Sequence, residues 1–340
     1  MNIDFQKNET SIPLVAEHLL DLRGKSIYYD PLKGNLGDDL ILMGLEEQFR
    51  RADLKFVSNV ANADHVLIKG GGALIDDYQS LLKHIKDLLH KTPDIPATIL
   101  PTSYHLESTN LPEMCGQRTA PLRVYARERF SFDLLEKCQF GCPFELGLDH
   151  DSAFHLIGSN FIKNLQDHRG KHILIVERTD AESTTGPAIG SNARSASAIP
   201  KSKRSVPNTM NNLLPAGLKA YLKHRLKLPS IERGAMKTEF ASRAIGFVKE
   251  NHPAAADLPV RCFDVSQNYL NTFDQFARVI ANSAVVLSTR LHVGILSAML
   301  GIPTFVVAGS YHKLRGIYSY SMLNNNHVKI IDKSMNEITF

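Results

Sequence analysis

The sequence predicts an α/β fold: two Rossmann-like, doubly wound units facing each other across a cleft. Three observations predict it. Short apolar runs of strand length, rich in β-branched residues, recur along the 340 residues. They alternate with segments of helical periodicity, the pattern of a parallel sheet covered on both faces. Several strand ends run into turns rich in Gly, Asn and Asp, where open α/β sheets bind ligands.

Lys25 to Asp30 reads as the first strand and Asp38 to Arg51 as an amphipathic helix. His65 to Ile68 is the second strand, followed by a helix near Asp77 to His90. Ala97 to Leu100 and Arg123 to Ala126 are further strands, and Arg129 to Lys137 is a helix. In the second half, His172 to Val176 reads as strand, Lys237 to Asn251 as helix and Val260 to Val265 as strand. A helix over Phe273 to Asn282 leads to the strand Ala284 to Leu287. Ile295, Leu296, Met299 and Leu300 then recur at helical spacing until Gly301-Ile302-Pro303 stops the helix, and Thr304 to Val307 is the last strand. The expected boundary falls near Ser159 to His168, giving units 1–165 and 166–340, with a basic insertion near 181–230 in the second.

That insertion carries the charge asymmetry. No acidic residue lies between Ser183 and Ile231, whereas Arg194, Lys201, Lys203, Arg204, Lys219, Lys223, Arg225 and Lys227 do. The net charge is +4, so without these eight the remainder stands at −4. Ser, Thr, Gly, Pro and Asn dominate Glu182 to Asn212, the composition of a loop. Leu213 to Leu228 alternates leucine with Lys and Arg, suited to a solvated surface helix or to contact with an anionic membrane face. Nucleic acid is disfavoured because Tyr221 alone interleaves the basic residues with an aromatic ring. Apolar runs are too short to span a membrane, and no signal peptide is expected, so the reading is a cytoplasmic protein. Cys115, Cys138, Cys142 and Cys262 are scattered and fit reduced structural thiols better than a metal site.

The densest chemistry lies in Ser288-Thr289-Arg290-Leu291-His292-Val293-Gly294, where a strand turns into a helix. Free backbone N–H groups, a permanent cation and an imidazole meet there, which suits an anion. Gly34-Asn35-Leu36-Gly37-Asp38-Asp39 follows the first strand, with Asn35 or Asp38 able to cap the next helix. Gly70-Gly71-Gly72 follows the second, explained equally by packed backbones or by a ligand. Arg127 and Asp151 end two more segments: Arg127 pairs with a carboxylate or faces the cleft, and Asp151 caps a helix or works as a catalytic carboxylate. Ser310-Tyr311-His312-Lys313 follows the last strand.

Together these blocks resemble the polysaccharide pyruvyl transferase family, in its exopolysaccharide-type subgroup. Gly34 to Asp39, Gly70 to Gly72, Ala126-Arg127-Glu128, Asp151 to Phe154, Ser288 to His292 and Ser310 to Lys313 carry the likeness, and Gly316-Ile317-Tyr318 adds to it. The resemblance implies a GT-B-like fold and transfer of pyruvate from phosphoenolpyruvate onto two hydroxyls of a sugar, giving a cyclic ketal and phosphate. It implies donor contacts from Arg290, Leu291 and His292, with Arg127 similarly placed. Asn35, Gly37, Gly71, Gly72, Ser310 and Lys313 are further donor-site candidates, and His292, Asp151 and Asp38 are the candidates for acid–base work. Phosphoenolpyruvate is a donor substrate, so no cofactor is expected, and no metal is demanded. The acceptor suggested is a lipid-linked oligosaccharide at the inner membrane face. Two rivals stay open: a glycosyltransferase using a nucleotide sugar, and a non-catalytic binder of anionic polymers or membrane surfaces.

Overall fold

The computed structural model describes residues 5, 9–32, 34–167, 170–178, 238–266, 271–309 and 312–331. Two parallel sheets form its frame. The first contains β1 (Ser26–Asp30), β2 (Lys55–Val57), β3 (His65–Ile68), β4 (Gly71–Ile75), β5 (Ala97–His105), β6 (Leu122–Ala126) and β7 (Phe144–Leu148). Their order is β2-β1-β3-β5-β6-β7, with β4 paired to the outer half of β5. The second contains β8 (His172–Val176), β9 (Val260–Cys262), β10 (Ser283–Ser288), β11 (Thr304–Val307) and β12 (Val328–Ile331), in the order β12-β11-β10-β8-β9.

In each sheet the first and third strands lie side by side and the second sits outside the first, so the winding direction reverses between neighbours. That reversal opens a crevice at the carboxyl ends of β1 and β3 in one sheet and of β8 and β10 in the other. The two crevices hold the site.

The period-two burial of the strands explains the layering. In the first sheet, Leu67, Ile27 and Leu100 pack on one face against α1 (Val15–Asp21) and α2 (Leu36–Ala52). Val66, Ile68, Ile99 and Val124 pack on the other against α3 (Gln79–Lys91) and its neighbours α4 (Leu111–Cys115) and α5 (Arg129–Glu136). After α6 (Asn160–Leu165) the second sheet repeats the device. Ile173, Ile175, Val285 and Leu287 meet α7 (Glu239–Asn251), while Leu174, Val176, Val286 and Val306 meet α8 (Phe273–Ala281) and α9 (Leu291–Leu300). Leu36 and Leu40 of α2, with Phe154 and Leu156, belong to the same apolar cluster as α9, so the halves share a core beneath the cleft. A short α10 (Lys313–Ile317) returns toward the first sheet.

Most sequence-predicted elements fall where expected, with instructive differences. Ala97 to Leu100 extends through Pro101 to His105, and a register shift between Ile99 and Thr102 accommodates the proline. Val260 to Val265 stops at Cys262, freeing Phe263 to Ser266 as a loop. The three glycines are not simply a turn, because Gly71 and Gly72 open β4. The basic stretch around 181–230 lies outside the described residues, as do Lys33 and Ser310. Among the described residues no helix is long and apolar enough to cross a membrane.

Candidate active site

A cavity of about 630 Å³ lies where the two crevices meet, walled from both sheets. Arg127, His292 and Lys313 define its most cationic corner. Arg127 leaves the end of β6 and is fully buried. Its Nε donates to Ser103 Oγ at 3.0 Å and its Nη1 donates to Asp151 Oδ2. Its Nη2 has no hydrogen-bond partner among the described residues. A guanidinium nitrogen so desolvated and unanswered is costly unless a ligand supplies the acceptor.

Asp151 caps a turn and also faces the cationic corner. Its Oδ1 accepts the Ala153 N–H at 2.9 Å, capping the turn Ser152–Leu156, while its Oδ2 faces Arg127 and lies 3.4 Å from His292 Nε2. Burial works to raise its pKa, but the Arg127 and His292 charges outweigh that and hold the carboxyl well below the usual range. Asp151 is therefore an anion fixed behind one guanidinium and one imidazole. Its neighbour Asp149 behaves differently: burial lifts it to about 6 against the pull of the Val15 and His150 N–H groups.

The glycines explain how the corner stays open. A Cβ on Gly70 would meet the Pro101 carbonyl oxygen at 2.1 Å, so that glycine admits the backbone of β5. Gly71 has φ +138°, a region that favours glycine. A Cβ on Gly72 would lie 3.0 Å from both Arg127 Nη2 and Lys313 Nζ, so two cations flank the space left by its missing side chain. On the other wall, a Cβ on Gly37 would lie 2.6 Å from His292 Nδ1, so that glycine admits the imidazole. Gly37 and Gly71 thus shape the site without lining the cavity, whereas Gly72 lines it.

The N-termini of α2 and α9 both open on the cavity. Asn35 caps α2, accepting the Gly37 N–H at 2.7 Å, and Asp38 returns the bond by accepting the Asn35 N–H at 2.8 Å. Asp38 reaches the wall, yet one of its oxygens is committed to this capping box. By contrast α9 has no side-chain cap: Arg290 occupies the N-cap position without a side-chain bond to the helix, and Leu291 and His292 begin it at the cavity wall. Uncapped amide donors with the positive end of the helix dipole attract an anion.

Arg290 is already paired. The sequence reading has its planar fork grip a donor, but that fork is bidentate on Asp264, with Nε at 3.0 Å from Oδ1 and Nη2 at 2.5 Å from Oδ2. The pair is buried and still lines the cavity through Arg290, so the guanidinium is fixed in orientation and its charge largely matched. His312, next to Lys313 in the chain, does not line the cavity. Its ring stacks on Phe130 at 5.3 Å and its Nε2 lies 3.6 Å from Glu128.

Arg178, Asp264, Asp30 and His84 escape the sequence reading. Arg178 is the second residue beyond β8 and Asp30 is the last of β1, so position at a strand end is the signal that could have found them. Asp264 was hidden inside an overlong strand. Among the described residues no group of three or more His, Cys, Asp or Glu side chains is arranged to hold a metal ion.

A family profile described as polysaccharide pyruvyl transferase matches residues 35–311, most of the chain. The chain belongs to that family. It is accordingly a transferase, with a pyruvyl transfer role and a sugar or polysaccharide as the acceptor the family implies. The matched span contains every cavity corner residue above except Lys313, two positions beyond its end. Among solved structures, the chain is similar to a functionally uncharacterized protein from Klebsiella pneumoniae, at 17% identity and a TM-score of 0.57. The match covers 94% of this chain and 99% of that one, a likeness of fold. No curated protein matches the chain.

Proposed function

We propose that this enzyme moves pyruvate from phosphoenolpyruvate onto two hydroxyls of one sugar, forming a cyclic ketal and releasing phosphate. The observation that carries the reading is the buried Arg127 Nη2, unpartnered among the described residues, beside Lys313 at the open face of Gly72. Phosphoenolpyruvate carries a phosphate and a carboxylate on a three-carbon frame, so two cationic patches are needed. Arg127 and Lys313 suit the phosphate, whose oxygens accept charge-assisted bonds. The amides opening α9, with Arg290 and Arg178 nearby, suit the carboxylate. A cavity of about 630 Å³ leaves ample room for a sugar beside so small a donor.

His292 is the acid in this scheme. It gives its proton to the terminal carbon of the donor while the double-bond electrons form the new C–H bond. The adjacent carbon becomes electron-poor and a sugar hydroxyl attacks it. Phosphate then leaves with the electron pair of its C–O bond, into the Arg127 and Lys313 corner, and the second hydroxyl closes the ketal. Asp151 stabilises the imidazolium before transfer and orients the ring. The reaction as written needs no cofactor.

The wider arrangement belongs to the same proposal: units 1–165 and 166–340 in a GT-B-like pairing, cytoplasmic, with a lipid-linked oligosaccharide as acceptor at the inner membrane face. The parallel sheets with facing crevices support the first part, and the composition of the Arg194 to Lys227 stretch supports the second. The test is calorimetry with phosphoenolpyruvate against nucleotide sugars, followed by detection of released phosphate or nucleotide. Binding of a nucleotide sugar without phosphoenolpyruvate would overturn the reading.

A further inference from the structure

The cavity wall contains a second carboxylate–imidazole pair that the scheme above leaves unused. Asp30 ends β1 at the switch point. Its Oδ1 accepts the Leu32 N–H at 3.2 Å, which turns the chain, and its Oδ2 lies 2.6 Å from His84 Nε2. Asp30 is buried, while the His84 side chain is 54% exposed. Both line the cavity. His84 shares its helix face with Ser80 and Leu81, the spacing that turns α3 toward the same space. With Nε2 held by Asp30, the other ring nitrogen, Nδ1, has no hydrogen-bond partner among the described residues.

This is the geometry of an oriented base. A carboxylate that accepts Nε2–H fixes the tautomer, leaving a lone pair on Nδ1, and it stabilises the imidazolium that forms when Nδ1 takes a proton. Ketal formation supplies the need: each sugar hydroxyl must lose its proton as its oxygen bonds to carbon, and His292 is occupied as the acid. Asp30 at the end of β1 and His84 on α3 bring the pair to the cavity wall beside the acceptor space.

The geometry points to His84 as the base for the first acceptor hydroxyl, with Asp30 as its positioning residue; this rests on the pyruvyl transfer reading above. In the first step the sugar O–H proton passes to His84 Nδ1, the O–H electron pair becomes the new C–O bond, and the double-bond electrons take the proton of His292. In the second step the other hydroxyl bonds to the same carbon as the C–O bond to phosphate breaks, and its proton passes to the departing phosphate. His84 returns its proton to solvent and His292 regains one, so the balance over a turnover is one proton to the methyl group and one to phosphate.

The experiment measures phosphate release from phosphoenolpyruvate with methyl pyranosides of glucose, galactose and mannose as acceptors, alongside calorimetry of phosphoenolpyruvate alone. His84→Ala should bind phosphoenolpyruvate as the wild type does and melt normally, yet turn over about 10²–10⁴-fold more slowly at neutral pH. Added imidazole should restore part of the rate. Asp30→Asn keeps the turn acceptor but removes the charge, so the acid limb of its pH–rate profile should move to lower pH. Retention of turnover within about threefold in His84→Ala, or loss of its donor affinity together with its rate, would overturn the assignment while leaving the donor reading intact. Absence of phosphoenolpyruvate binding or turnover in the wild type would remove both.

Discussion

Gly72→Ala isolates the anion corner better than removal of any charge, because it adds one methyl group and nothing else. Gly72 sits in β4 without a positive φ, so alanine fits its backbone. Alanine in place of a strand glycine is neutral or favourable by about 0.5–1 kcal/mol. The new methyl would lie 3.0 Å from both Arg127 Nη2 and Lys313 Nζ, inside ordinary contact distance and where a phosphate oxygen would otherwise accept from both. Hydrogen bonds to charged groups contribute about 1.5–3 kcal/mol each, and blocking one to two of them costs about 3 kcal/mol. At 1.4 kcal/mol per tenfold, phosphoenolpyruvate affinity should fall roughly 100-fold. Calorimetry reads the affinity, the KM for the donor follows it, and a thermal melt checks the fold. A variant that melts like the wild type and still binds the donor within about threefold would refute the placement of the phosphate.

Other expectations follow from the same contacts. His292→Gln should leave donor affinity within a few-fold while slowing turnover by about 10²–10⁴-fold, and a preserved kcat would remove it as the acid. Asp151→Asn leaves Arg127 buried without its counter-charge, so a thermal or denaturant melt should lose about 3 kcal/mol along with turnover; an unchanged melt would mean the pair is not buried as described. In D2O, the methyl group of the ketal should carry one deuterium by mass spectrometry, and none would mean that the donor carbon is not protonated from exchangeable groups. Acid should weaken the fold. Burial holds His18, His65 and His155 at about 3 and His172 at about 4, far below the 6.5 of the unfolded chain. Their contribution is therefore complete above pH 6.5 and is lost as pH falls toward 3. At pH 5.5 each has lost about 1.4 kcal/mol, while Asp149, raised to about 6, offsets about 1 kcal/mol in the opposite direction. Urea melts should show a net loss of about 5 kcal/mol between pH 7.5 and 5.5, and flat stability over that window would contradict these neutral rings.

The fold was legible where burial alone decides the sequence. The strands at His65, His172 and Ala284 are buried from end to end, or nearly so, and read as continuous apolar runs. β2, β7 and β12 were missed because they carry exposed or half-exposed polar residues such as Lys55, Glu145 and Lys329, which dilute the apolar signal. β4 was missed because two glycines open it, and glycine argues against strand until the neighbouring β5 and the cavity are known. The site was half legible. Strand-end position singled out Arg127, Asp151 and His292, which the fold brings together beside the cavity, but pairing is a tertiary fact. Nothing near Arg290 in sequence announces that Asp264, 26 residues earlier, occupies its fork. Nor does helical periodicity single out His84 until Asp30 is seen beside it.

The central claim is that phosphoenolpyruvate binds at the Gly72 corner, and a crystal structure of the complex tests it most directly. The account predicts phosphate oxygens within hydrogen-bond distance of Arg127 Nη2 and Lys313 Nζ, with the terminal carbon facing His292. Density for the donor elsewhere, or an Arg127 Nη2 still unanswered beside a bound donor, would contradict it.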